Sequence, residues 1–272
     1  MFDVAKVDKY LEGIEKSLEK NGAFRKGEEL KVGVDLGTAY IVMVVLNSQL
    51  EPVACTMEFA QVLKDGLVVD YTGAVRIVKK LKKELEERLG EELTKAAIAV
   101  PPGTSKGDTK THVNVVEACE FEVTNIVEEP TAANAVLDIA NGVIVDIGGG
   151  TTGLSIIKDK RVIFTADEPT GGTHVTLVLS GSYKIGFEEA EDMKKDPTKY
   201  HEVFTAVVPV IQKMATIVKH YIKDYEIENV YLVGGTCCLK GVEKIFEKEL
   251  GIKTYKPHNP FLVTPVGIAM NC

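Results

Sequence analysis

A chain of 272 residues that is 45% hydrophobic and 26% charged can bury one large core or two ordinary ones, and its composition is that of a soluble globular protein. A formal net charge of −8 argues against a general surface for nucleic acid or anionic membrane. There is no apolar run of about 18 residues and no N-terminal signal-peptide core, so a cytoplasmic protein is expected. Five cysteines (Cys55, Cys119, Cys237, Cys238, Cys272) are scattered without a C-x-x-C pair, and five histidines make no ligand cluster. Reduced structural thiols are expected, because adjacent residues such as Cys237 and Cys238 seldom reach disulfide geometry.

Taken in order, residues 3–21 predict an amphipathic helix, with Val4, Val7, Leu11, Ile14 and Leu18 at helical spacing and Asn21-Gly22 as the stop. Its apolar face fits either the body of the protein or a short seam for a partner or second copy. Residues 31–46 then read as a hairpin whose first strand ends in Asp35, with Gly37 and Thr38 at the tip. A further strand is expected over 52–59, a turn at Asp65-Gly66 and a strong helix over 73–89 whose charged face is most simply solvated. A strand over 96–100, a helix over 105–119, a strand over 124–127 and a helix over 131–139 follow. Glu129, just before Pro130, is expected to point from a loop into whatever cleft the sheet ends line, or else to complement the helix dipole.

Residues 142–158 repeat the first construction. Val143, Ile144 and Val145 lead to Asp146, three glycines (Gly148, Gly149, Gly150) make the bend, and Thr151 and Thr152 precede a second apolar run. Glycines let backbone N–H groups approach an anion closely, threonine hydroxyls add donors, and an aspartate before the bend could hold a hydrated Mg²⁺ against the same anion. Two such tips would face each other across a cleft if the halves are similar folds. Beyond them, a strand over 161–164 is followed by Thr170-Gly171-Gly172-Thr173, which enters a helix over 174–180 as a suitable anion-facing N-terminus. A charged helix over 186–195, a long helix over 203–225, and a strand over 230–233 running into Gly234-Gly235-Thr236 and a helix through 249 come next. Thr254-Tyr255, Asn259-Pro260-Phe261 and residues 264–270 then form a tail that ends in a short helix.

VGVDLGTAY (32–40), VEEPTAANA (127–135), VDIGGGTTGLSII (145–157), VYLVGGTCCLKGVEKIF (230–246) and PVGIAM (265–270) resemble, in order, the phosphate-1, connect-1, phosphate-2, adenosine and connect-2 motifs of the actin, Hsp70 and sugar-kinase ATPase superfamily. Across its length the sequence is also similar to an Hsp70-like family linked with ethanolamine utilization and bacterial microcompartments. The resemblance implies an α/β, actin-like ATPase fold: two RNase H-like halves flanking a nucleotide cleft, with reduced small subdomains. It divides the chain into an N-terminal helix (1–27), a first half (28–140) and a second half (141–272). It implies ATP or ADP with Mg²⁺ held through water by Asp35 and Asp146, and phosphate contacts from Gly37, Thr38, Ala39 and from Gly148 to Thr152. Gly171 and Gly172 would add a phosphate-contacting turn, Gly234, Gly235 and Thr236 the adenosine turn, and Glu129 the group positioning the attacking water.

Three departures stand out. Gly153 replaces a second phosphate-2 aspartate, Cys238 stands where Hsp70 has an adenine-stacking arginine, and the chain ends just after connect-2. The expected function is a nucleotide-dependent chaperone or conformational switch with weak ATPase activity. Its client would be an ethanolamine-utilization enzyme or shell component, in the cytoplasm or beside a microcompartment, with no nucleic-acid or membrane partner. An actin-like filament or scaffold that self-associates, a pseudo-ATPase and, less favoured, a small-molecule kinase are the alternatives.

Overall fold

The computed structural model describes residues 3–272; residues 1 and 2 of the expected 1–27 element lie outside the described residues. Helix α1 (Val4–Lys16) starts at Asp3, whose carboxylate accepts from the Lys6 N–H, and buries Val7, Leu11 and Ile14. It stops short of Asn21. The Ser17 hydroxyl donates back to the Ile14 carbonyl, and the Ser17 carbonyl accepts from the Cys55 N–H (3.1 Å) and from Arg88 (2.8 Å), so tertiary donors replace the next helical turn.

The first sheet comprises β1 (Lys31–Leu36), β2 (Tyr40–Leu46), β3 (Pro52–Phe59), β6 (Lys95–Val100) and β7 (Glu122–Glu128), in the order β3-β2-β1-β6-β7. A two-stranded flap, β4 (Leu63–Lys64) and β5 (Leu67–Val68), turns at Asp65-Gly66. Helix α2 (Tyr71–Leu89) is capped by Asp70 and closed by Gly90 at φ 66°; α3 (Lys106–Glu117) carries β6 into parallel β7.

The second sheet repeats the plan. β8 (Gly142–Ile147), β9 (Thr152–Lys158), β10 (Arg161–Glu168), β11 (Asn229–Val233) and β12 (Lys253–Tyr255) run in the order β10-β9-β8-β11-β12. In both sheets an antiparallel meander occupies one side and parallel strands the other. Helices α5 (Gly172–Tyr183), α6 (Phe187–Lys195), α7 (Tyr200–Ile222) and α8 (Val242–Leu250) cover the second sheet.

Each sheet has its own core, and a third apolar cluster lies between them. Two helices build that middle layer. Helix α4 (Glu129–Leu137) leaves the first sheet and packs on β8 and β9, while α9 (Val263–Met270) leaves the second and packs on β1, β2 and β6. They cross in close contact: a Cβ on Gly267 would sit 1.8 Å from the Ala132 carbonyl oxygen, so only glycine admits the crossing. Helix α1 packs on β3 and buries its apolar face in this middle layer, so that face is not an open seam for a partner.

Candidate functional site

The ends of β1 and β8 point into a cleft of about 690 Å³ between the two halves. Asp35, Gly37, Thr38, Ala39, Glu129, Asp146, Gly148, Gly149, Gly150, Thr151, Gly172, Gly234, Gly235 and Thr236 all line it. The structure thus gathers at one place residues spread over 202 positions, from 35 to 236 counted inclusively. The hairpin tips meet across the cleft floor: a Cβ on Gly150 would come 2.9 Å from the Thr38 hydroxyl and 3.0 Å from the backbone of Asp65 in the β4–β5 turn. Gly234, at φ 91°, passes so close beneath Asp146 that a Cβ would lie 2.3 Å from its Oδ1.

Two expected contacts differ. Thr152 is buried behind the loop, its hydroxyl donating to the Thr170 carbonyl, and Gly171 packs against the back of Gly148–Gly150. The N-terminus of α5 is not a free anion site either. The Gly172 N–H donates to the Gly148 carbonyl (2.9 Å), and the Thr173 N–H and hydroxyl both donate to the Gly149 carbonyl. The Thr236 hydroxyl also donates to Gly148 O (2.8 Å). These turns therefore brace the second glycine loop from behind and hold its carbonyls away from the cleft. The N–H groups of Gly149, Gly150, Thr38 and Ala39 have no protein acceptor among the described residues, which leaves them as the donors open to an anion.

Glu129 differs in element only: it is the first residue of α4, where Pro130 fits the first turn, and not a loop residue. Its carboxyl is held well above the ordinary value by burial and by the charges of Asp146, Asp35 and Asp167. Burial, with the Asp146 charge adding to it, pushes Asp35 up to about 7. Burial pushes Asp146 to about 6, against the pull of the Thr264 hydroxyl, which donates to Oδ2 at 2.5 Å. A cluster of acids that resists ionisation is a site that favours a cation, and carboxylate oxygens suit a hard one such as Mg²⁺. No group of three or more acidic, histidine or cysteine side chains among the described residues is close enough to ligate a metal directly. The arrangement fits a hydrated ion held through its waters.

Several lining residues escaped the sequence reading. Thr264 orients Asp146 from the start of α9. In α6, Lys194 donates to Glu191 (2.5 Å) and to the Thr176 hydroxyl (2.8 Å), while Lys195 lies 4.5 Å from the ring centre of Phe59 and 5.1 Å from that of Tyr40, across the cleft. Tyr40 in turn meets Phe261 edge-on at 5.5 Å. The Glu191-to-Lys194/Lys195 spacing was the available signal, but it is equally the signature of a solvated ion-paired helix.

This geometry has relatives of known name. The Escherichia coli (strain K12) ethanolamine utilization protein EutJ is 40% identical over 241 residues, 88% of this chain and 85% of its own length. The chain belongs to the EutJ family. The crystal structure of the EutJ protein from Carboxydothermus hydrogenoformans superposes with a TM-score of 0.93 at 46% identity, covering 98% of both chains. A family profile described as type IV pilus assembly protein PilM matches residues 108–267. MreB5 of Spiroplasma citri, solved with ADP bound, shares the fold at a TM-score of 0.71 and 18% identity, over 89% of this chain and 95% of that one. The EutJ-family chain therefore has the actin-like ATPase fold.

Proposed function

We propose that this EutJ-family chain binds ATP or ADP with Mg²⁺ in the cleft and acts as an Hsp70-like conformational switch or chaperone on a component of ethanolamine utilization, an enzyme or a microcompartment shell protein. One observation carries the reading: two glycine loops with open N–H groups and two strand-end aspartates converge on a single cleft of about 690 Å³. Solved MreB5, which has the same fold, holds ADP.

In this reading Asp35 and Asp146 hold the waters of the cation, and the loops at Gly37–Ala39 and Gly148–Thr151 hold the phosphates. The Gly234–Thr236 turn and the Lys195 wall flank the nucleoside end. The bound cation supplies charge neutralisation for the phosphates. Glu129 orients the attacking water; burial, with the charges of Asp146, Asp35 and Asp167 adding to it, holds its carboxyl well above the ordinary value, and compensating those charges favours the form that accepts a proton. Hydrolysis is expected to be slow. The halves, 28–140 and 141–272, would close about the α4–α9 crossing, and the two states would differ in affinity for the client.

A thermal melt with and without MgATP, on the wild type and on Asp146→Ala, tests the core of this. At about 100 times Kd, ligand linkage adds roughly 2.7 kcal/mol, which corresponds to a Tm rise on the order of 5 °C or more for a chain of this size. A rise lost in the variant is expected, and no rise at millimolar MgATP would remove the nucleotide reading. ATP-dependent sedimentation would instead favour the filament.

A further inference from the structure

The two aspartate-tipped hairpins differ one strand away from the tip. Across the first sheet Asp35 pairs with Val42, and Val42 with Met57, so no second acid lies in that row. Across the second sheet Asp146 pairs with Gly153, and Gly153 with Asp167 of β10. A Cβ on Gly153 would lie 3.4 Å from Asp167 Oδ1, so this carboxylate leans over the bare glycine between it and Asp146. That oxygen is wholly buried and makes no hydrogen bond of its own among the described residues, while the Thr151 hydroxyl lies close enough to act as a donor to the same carboxylate. Asp167 is also close enough for its charge to act on Glu129, and for that of Asp146 to act on it. A buried carboxylate oxygen without a donor is costly, so its persistence marks a place where a donor belongs. Across Gly153 from Asp146, and within range of the Glu129 charge, a water ligand of a cation is such a donor.

We propose that Asp167 is a positioning residue for the hydrated divalent cation of the bound nucleotide, supplying from β10 the carboxylate that Gly153 withholds. This rests on the nucleotide reading above. The charge reaches the same row of the sheet from the opposite side of β9. A carboxylate here accepts a hydrogen bond from a water of the ion and adds a negative charge facing it, so it sets affinity for the cation without touching the nucleotide. The loops that would hold the phosphates are built from other residues, so nucleotide binding without metal should not depend on Asp167.

The experiment follows the Tm of the full chain with ADP in EDTA, and then with ADP and increasing Mg²⁺. Wild type, Asp167→Asn and the double variant Asp167→Ala/Gly153→Asp are compared. Asp167→Asn is expected to melt cooperatively, to keep the ADP shift in EDTA, and to need about tenfold more Mg²⁺ for its half-maximal further shift. Returning a carboxylate to the row in the double variant should bring that midpoint back to within about threefold of wild type, as expected if the ion responds to the charge and not to its strand of origin. Mn²⁺ binding in the presence of ADP, read by electron paramagnetic resonance, should follow the same order. An unchanged Mg²⁺ midpoint in Asp167→Asn would overturn the proposal and leave the nucleotide reading intact, as would a double variant no better than Asp167→Asn. A wild type with no ADP shift in either condition would overturn both.

Discussion

Asp35 and Asp146 occupy the same position in two copies of one hairpin, and their ionisation is costly for the same reason. Asp146 is buried and Asp35 half-buried, both are desolvated at the cleft floor, and their charges act on Glu129. With folded values near 7 and 6 against about 3.9 in the unfolded chain, these groups favour the folded state while protonated. That contribution is complete below about pH 4 and is lost as pH rises through about 6 to 7. Asp35→Asn, which cannot ionise, is therefore expected to match the metal-free wild type near pH 4 and to exceed it at pH 8 by on the order of 2–4 kcal/mol. Added Mg²⁺ should narrow the gap, and urea denaturation at the two pH values measures both effects. At Gly234 the backbone sits at φ 91° with Asp146 directly against it. Gly234→Ala should cost about 3 kcal/mol and abolish the nucleotide-dependent rise in Tm, because the same displacement moves Asp146.

Among the elements, α1 shows how a helix read as an added piece becomes structural. Leu11 and Ile14 are fully buried in the layer between the sheets. The Asp8 carboxylate accepts from the His258 N–H, and Glu15 from Asn259, so the helix ties residues near the cleft lip to the first half. Leu11→Ala is expected to destabilise by about 2–5 kcal/mol through the cavity it leaves, read from the denaturation midpoint. Helix α7 carries the opposite opportunity. It runs unbroken through exposed Pro209, which has no N–H to give the preceding turn. Pro209→Ala should add about 1 kcal/mol and raise Tm by roughly 2–4 °C.

For the whole molecule, the crossing of α4 and α9 makes the two sheets one body. Each helix leaves one sheet and packs on the other, so neither half completes its inner face alone. Calorimetry should show a single unfolding transition for the wild type. Gly267→Ala, forcing a methyl against the Ala132 carbonyl, is expected to cost about 2–3 kcal/mol and to split that transition in two as the halves lose their common layer. The same crossing is the pivot about which a nucleotide-driven closure would turn.

Periodicity and turn chemistry in the sequence were enough to place β3 at its observed bounds, α2 to within two residues, and both aspartate-tipped hairpins, because these depend on neighbours a few positions away. The glycine turns were legible for the same reason, and their common cleft followed once the two hairpins were recognised as copies. The use to which each turn is put was not legible. Whether the amides of Gly172 and Thr173 face an anion or the carbonyls of Gly148 and Gly149 depends on a contact between segments more than twenty residues apart. Thr264 beneath Asp146, Lys195 against Tyr40 and Phe59, and the end of α1 at Ser17 are likewise settled by distant partners. Asp167 is the clearest instance: along the chain it is an acid near the end of an edge strand, and only the register of β9 between β8 and β10 sets it in the row of Asp146, across Gly153. Local chemistry determined which loops and acids this protein carries. The packing of the two halves decided which of them face one another, because side-chain patterns encode the face an element buries and not the partner that buries it.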